Sequence, residues 1–389
     1  MNFDYVVLPI LVAGIGAAVA WFAIRRLLAL RAKNYSKTRR WVEGVTLSLA
    51  ALAAAALVVV SGGNALMLAA GRSHLPGQFY QVNGHSMRME CMGSGEPTIV
   101  LDAGLGDDGF IWGGVQPGLA GTTRVCSFDR AGFGYSQAVA GTRDADHITG
   151  ELHGLLQAAG IDGPIVLMGH SIAGMYIRNY ASRYPAQVVG LVFVDGSTPL
   201  QDVTPAFAEE YRQPSPFTVA MGHALYGSGL ARVIGSCSPK LPGFSPPAAR
   251  LEAEDSCRRG ISAELAEFAA FHRSGEETAH TGPYGDLPIL IFSQDTRRDP
   301  SDRKHAAMNA AWEQMQENLK KLSTRSRRIV AKTSSHYVQI DRGDLILKEV
   351  PVLIAQIRDQ IRNPTRDQTQ NRAQGTQGAA AAYGSTTTQ

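Results

Sequence analysis

Ser171 lies in GHSIAGMY (169–176), directly after the apolar run Ile165-Val166-Leu167-Met168 and ahead of a helical stretch. Strand, tight turn, serine and helix make up the layout of a nucleophile elbow, usually written G-x-S-x-G. Here the fifth position is Ala173, and the second glycine comes one residue later at Gly174. A serine hydroxyl attacks a carbonyl only when a general base takes its proton and an acid orients that base. His336, in KTSSHYVQID past the last apolar strand, is placed to be the base. Asp295, which closes LPILIFSQD (287–295), is the preferred acid. The chain order Ser171, Asp295, His336 puts each residue on a loop at the carboxyl end of a strand. That chemistry is acyl transfer through a covalent serine intermediate.

Two other carboxylates compete for the acid's place. Asp299 follows in the same loop as Asp295, and Asp195 ends the strand VVGLVFVDGS (188–197). The structural reading of Ser171 is a plain helix N-cap, and that of His336 a surface-loop histidine. His170 reads as a packing residue of the elbow. The oxyanion needs two backbone N–H groups, each worth roughly 3 kcal/mol in comparable sites. Ile172, next after the serine, is one candidate. Leu105, in the loop GLGDDGF (104–110), is the other, with Gly104 giving the chain room to turn.

These loops need a scaffold of strands. GQFYQVNG and HSMRMECMG read as a hairpin turning at Asn83-Gly84, and PTIVLDAG (97–104) as a strand buried on both faces. TRVCSFD (123–129), the Ser171 strand, 188–197 and 287–295 follow. Helical spacing covers 144–159, about 303–322 and about 344–362, and RRIVAKTS supplies the last strand. Strands alternating with helices imply a mostly parallel sheet covered on both faces. Residues 198–286, broken by Pro and Gly clusters, read as a lid insertion. From 363 to 389 the chain is polar and of low complexity, which predicts a disordered tail.

The 389-residue chain carries a net charge of only +3, and no nucleic-acid partner is expected. The distribution of charge says more. Residues 5–24 and 44–70 contain none, and each stretch is long enough to cross about 30 Å of hydrocarbon as a helix. Arg25, Arg26, Arg31, Lys33, Lys37, Arg39 and Arg40 lie between them without an acid. A short basic loop stays in the cytoplasm, so residues 1–72 read as a two-span anchor with both ends outside. The alternatives are a signal peptide and a buried core helix. Four cysteines follow the spans. In an exported domain they suit two disulfides, and locality favours Cys91–Cys126 and Cys237–Cys257; in a cytoplasmic domain they would be free thiols.

Taken together, these motifs resemble the α/β-hydrolase superfamily, in its group of single-domain serine hydrolases with a lid. The resemblance runs from about Gln78 to Arg362. LDAGLGDDGFIWGGVQPGLA is similar to the oxyanion loop, with Ala103-Gly104 where many members have His-Gly. TRVCSFDRAGFGYS is similar to the D-R-x-G-x-G-x-S loop, GHSIAGMYIRNYASRYP to the elbow and its helix, and SSHYVQID to the histidine loop. The resemblance implies an eight-stranded, mostly parallel sheet, Ser171 as nucleophile, His336 as base, and Ile172 with Leu105 as oxyanion donors. SQDTRRDP departs from the common G-x-x-D spelling around the acid. Dehalogenases and epoxide hydrolases of this superfamily carry Asp at the elbow, and Ser171 argues against both.

The expected activity is hydrolysis of a carboxylic ester or related acyl bond, with a small-molecule substrate, a lipid-like one among the candidates, and no metal or organic cofactor. Acyl transfer to an alcohol or amine, and a non-catalytic binding domain, are the rival readings.

Overall fold

A computed structural model describes residues 7–32, 35–70, 75–199, 201–235, 260–296 and 305–363. Cys237, Cys257, Asp299 and the tail from residue 364 lie outside them. Two long helices come first, α1 (Leu8–Ala32) and α2 (Lys37–Ala70). Both continue into the basic stretch expected to be loop. The two are packed together, and Gly16 permits a close approach: a Cβ there would meet Val58 Cγ2 at 3.0 Å and the Ala54 carbonyl at 3.1 Å. Small residues at such crossings let apolar helices approach closely. Leu8–Leu30 and Lys37–Leu66 are long and apolar enough to span a membrane.

The rest is one eight-stranded sheet in the order β1-β2-β4-β3-β5-β6-β7-β8. The strands are β1 (Gln78–Val82), β2 (His85–Met92), β3 (Thr98–Asp102), β4 (Val125–Phe128), β5 (Ile165–His170), β6 (Val188–Val194), β7 (Ile289–Ser293) and β8 (Ser326–Val330). β1 and β2 form a hairpin, β2 runs antiparallel to β4, and all other pairings are parallel. The hairpin turns at Asn83 and Gly84, both at positive φ (48° and 83°). Asn-Gly is the favoured pair for such a turn.

Alternation along the central strands feeds two cores. Ile165 and Leu167 of β5 pack with Leu152 and Leu155 of a helix spanning Ala145–Ala158, while Val166 and Met168 face Ile346 and Val350 of Gly343–Arg362. Cys91 and Cys126 are register partners on β2 and β4 and are joined as a disulfide.

Between β6 and β7 the described residues form a 3-10 turn (Pro205–Phe207) and four helices. Continuing the helix numbering after α3 (Gln116–Leu119), α4 (Ala145–Ala158) and α5 (Ala173–Arg183), these are α6 (Pro216–Gly227), α7 (Leu230–Val233), α8 (Ile261–Ala269) and α9 (Phe271–Ala279). After β7 come α10 (Ala306–Asn318), the short α11 (Val338–Asp341) and α12 (Gly343–Arg362).

Candidate active site

Ser171 stands between β5 and α5 with φ +54°, a left-handed conformation uncommon for residues that carry a side chain. Its backbone is held on all sides. The amide donates to Val194 O at 3.2 Å, and the carbonyl accepts from Gly174 N at 2.8 Å and Ser197 N at 2.7 Å. The irregular spelling of the elbow has a steric reason. A Cβ on Gly169 would come within 2.8 Å of the Ala173 carbonyl, and one on Gly174 within 2.9 Å of Gly196 Cα. Position 173 has no such crowding. The Ala173 methyl is fully buried in a cluster with Ile172, Met175 and Phe271.

His336 follows β8 and precedes α11. Its Nδ1 lies 2.6 Å from Asp195 Oδ2. A carboxylate accepts, so Nδ1 carries the proton and Nε2 presents a lone pair. Asp195, fully buried at the end of β6, is itself at φ +48°. Its other oxygen accepts from Gln294 N at 2.9 Å and Trp312 Nε1 at 2.8 Å. Burial works to lower the imidazole pKa. Asp195 overcomes it by hydrogen bond and charge, with help from Asp107 and Glu210, so the ring titrates above its usual 6.5.

The carboxylate hydrogen-bonded to His336 is thus Asp195, at the end of β6, where the sequence favoured Asp295. β6 lies beside β5, the strand that leads into Ser171, so a residue at its end reaches the ring directly. Asp295, two residues past the end of β7, faces the histidine loop's backbone: its Oδ2 accepts from Thr333 N at 3.0 Å and its amide donates to Ser334 O at 3.3 Å. Thr333 is at φ +69°, and Asp295 clasps that turn.

His170 does more than pack. It is buried, and its Nε2 lies 3.1 Å from the carbonyl of His336. A carbonyl can only accept, so Nε2 carries the proton. Burial, with the neighbouring His336 second, holds its pKa well below the usual value, and the ring stays neutral.

Leu105 and Ile172 both line a cleft of about 350 Å³ together with Ser171 and His336. Neither amide donates to another protein group among the described residues. Arg130 orients the first of them. Its guanidinium donates to the carbonyls of Ala103 at 2.6 Å and Gly104 at 2.8 Å. Since a trans peptide places N–H opposite C=O, the Leu105 N–H points away from Arg130. Gly104 is required here, because a Cβ would meet His170 Nδ1 at 2.7 Å. Arg130 is buried and also pairs with Asp102 at 2.8 Å and with Glu267 of α8 at 2.9 Å. The D-R-x-G-x-G-x-S loop thus ties the Leu105 turn to the insertion. The arginine was visible in the motif; its partner Glu267 was not, since nothing local to α8 distinguishes it from a surface acid.

The cleft's other walls are mostly aromatic and apolar, including Phe207, Tyr211, Phe268 and Phe271 from the insertion and Trp312 from α10. Among the described residues no group of three or more His, Cys, Asp or Glu side chains is arranged to hold a metal ion.

A serine on a strained strand-to-helix turn, with a carboxylate-held histidine beside it on a parallel sheet, defines the α/β-hydrolase class. The chain belongs to the alpha/beta hydrolase family, whose model matches residues 99–349. It is 24% identical over 325 residues to an uncharacterised protein of Schizosaccharomyces pombe, an alignment covering 73% of this chain and 57% of that one. It is 40% identical over 112 residues to the putative carbamate hydrolase RutD of Pantoea ananatis, covering 28% and 39% of the two chains. The chain thus spans less than two thirds of either relative's length. Among solved structures, a thermophilic esterase from Thermogutta terrifontis superposes with a TM-score of 0.53 at 18% identity, over 73% of this chain and 99% of its own. That likeness is one of fold.

Proposed function

We propose that the chain is a membrane-anchored serine hydrolase that cleaves a carboxylic ester or closely related acyl bond. The observation that carries this reading is the Asp195–His336 hydrogen bond beside a serine at φ +54°, with Ser171 and His336 on one cleft. His336 Nε2 takes the Ser171 proton as Oγ attacks the carbonyl carbon. The tetrahedral oxyanion is met by the N–H groups of Ile172 and Leu105, worth about 3 kcal/mol each in comparable sites. The imidazolium, steadied by Asp195, returns the proton to the leaving alkoxide. Water, activated by the same histidine, then releases the acyl group.

The insertion acts as a lid, because four of its aromatic residues wall the cleft. α1 and α2 are the anchor, with their basic connection in the cytoplasm and the hydrolase domain outside. The Cys91–Cys126 disulfide suits that side, since such bonds persist in oxidising compartments. RutD's description as a carbamate hydrolase widens the bond class to carbamates.

The test is covalent labelling of membranes holding the intact protein with a fluorophosphonate probe. Labelling of the parent is expected, and its loss in Ser171→Ala and His336→Ala. An unlabelled but folded parent would favour a binding domain over an enzyme.

A further inference from the structure

The insertion carries a surface that the catalytic reading does not use. On α6 the residues Phe217, Met221 and Ala224 form an exposed stripe at helical spacing, with Phe217 73% and Met221 53% exposed. Leu230, Val233 and Ile234 on and after α7 are exposed beside it. Contiguous apolar surface of this kind marks an interaction site.

The neighbours of this segment identify its occupant. α6 packs on α1, and α7 on α2. Ser61 of α2, fully buried, donates to the carbonyl of Ser228 at 3.1 Å. Arg232 Nε lies 3.4 Å from Asn64 Oδ1, and Asn64 is 2% exposed. Gly229, at φ +77°, brings the chain so close that a Cβ would meet Asn64 Cβ at 2.7 Å. Polar side chains within a span are expensive in lipid unless they find partners; here the insertion supplies one to the Ser61 hydroxyl and one to Asn64 Oδ1. Counting from Glu43, the last charge of α2, Asn64 lies about 30 Å along the helix, the thickness of the hydrocarbon core. The α6–α7 segment therefore meets the hairpin at its outer end.

We propose that α6 and α7 are seated in the outer leaflet, with Phe217, Met221, Leu230, Val233 and Ile234 among acyl chains, and that the cleft draws its ester from the bilayer. This rests on the membrane-anchored hydrolase reading. The route inward is continuous: Gly222 of α6 approaches Ile261 of α8, and α8 carries both Phe268 of the cleft wall and Glu267 on Arg130. Lipid contact at α6 is thereby transmitted to the acyl pocket.

The full chain in phosphatidylcholine vesicles provides the test, with two readouts. In Met221→Trp, the emission gained over the parent should fall by about half or more when the acyl chains are brominated, as for a side chain buried 5–10 Å into the interface. Phe217→Ser combined with Met221→Ser should lower kcat/KM on vesicle-embedded p-nitrophenyl palmitate about tenfold, while p-nitrophenyl acetate changes less than about twofold. Unquenched gained emission, with the parent's Trp21 still quenched, would overturn the seating. Equal loss on both esters would overturn the lipid route. If bromination leaves the parent's emission unchanged, the anchor reading has failed. If the parent cleaves neither ester, the hydrolase reading has failed, and quenching alone decides the seating.

Discussion

Trp312 and Asp195 are joined by an indole N–H···O hydrogen bond of 2.8 Å, so a helix that supplies no reacting atom holds the carboxylate on which His336 leans. Both partners are buried. With Gln294 N on the same oxygen, Asp195 has little freedom to turn away from the ring.

Asp195→Asn should therefore cost roughly 10⁴ in kcat, as expected when the histidine is left in the wrong tautomer. Asp295→Asn, which loosens the Thr333 turn, should stay within about tenfold of the parent. Steady-state hydrolysis of p-nitrophenyl butyrate by both variants compares them directly. The reverse ranking would return the acid's role to Asp295.

The pH profile carries a signed expectation. His336 accepts a proton only when neutral, and its carboxylate neighbours keep it protonated to higher pH than an ordinary imidazole. Burial opposes them without prevailing. The acidic limb of kcat/KM should therefore have its midpoint above 6.5. Glu210→Gln removes one negative charge and should move that limb to lower pH. A shift to higher pH would refute the assignment.

At the elbow, the crowded position is 174 rather than 173. Gly174→Ala drives a Cβ against Gly196 backbone and should destabilise by about 1–3 kcal/mol with loss of activity. Ala173→Gly, which restores the common spelling, deletes one buried methyl and frees a helix-start backbone. It should lower stability by about 1 kcal/mol and leave kcat within a few-fold. Urea titration together with ester turnover distinguishes the two.

Arg130→Met leaves Asp102 buried without its cation, and Glu267 with the more distant Arg143 at 3.8 Å. A loss of about 3–5 kcal/mol is expected. Adding Glu267→Gln to that variant should recover part of the loss. Denaturation midpoints of the single and double variants check it, and strict additivity would mean that the pair is uncoupled.

Much of this arrangement was legible because it is local. β5, β6 and β7 announce themselves as continuous apolar runs, and α4 and α12 as periodic ones. Ser171, Ile172 and Leu105 are fixed by turns within a few residues of their own strands. The acid was harder to read. Asp195 and Asp295 both end apolar strands in the right chain order, and only the sheet order sets β6 beside β5. Glu267 and Trp312 reach the site across the fold, and neither has a motif of its own. The two leading helices were apolar by inspection, but both run on into the basic stretch, where Arg26 of α1 and Glu43 of α2 pair at 3.3 Å.

The disulfide has a mechanical consequence. The chain enters the sheet from α2 through β1, an edge strand that among the described residues pairs with β2 alone. With α1 and α2 anchored as proposed, a tug on that tether, from lipid flow or from drag on the domain, loads the β1–β2 ladder first. Cys91 of β2 is covalently joined to Cys126 of β4, one step further in. The link acts as a strain relief: a pull can peel β1 away, yet it meets a covalent stop before it reaches the strands that carry Ser171 and Asp195.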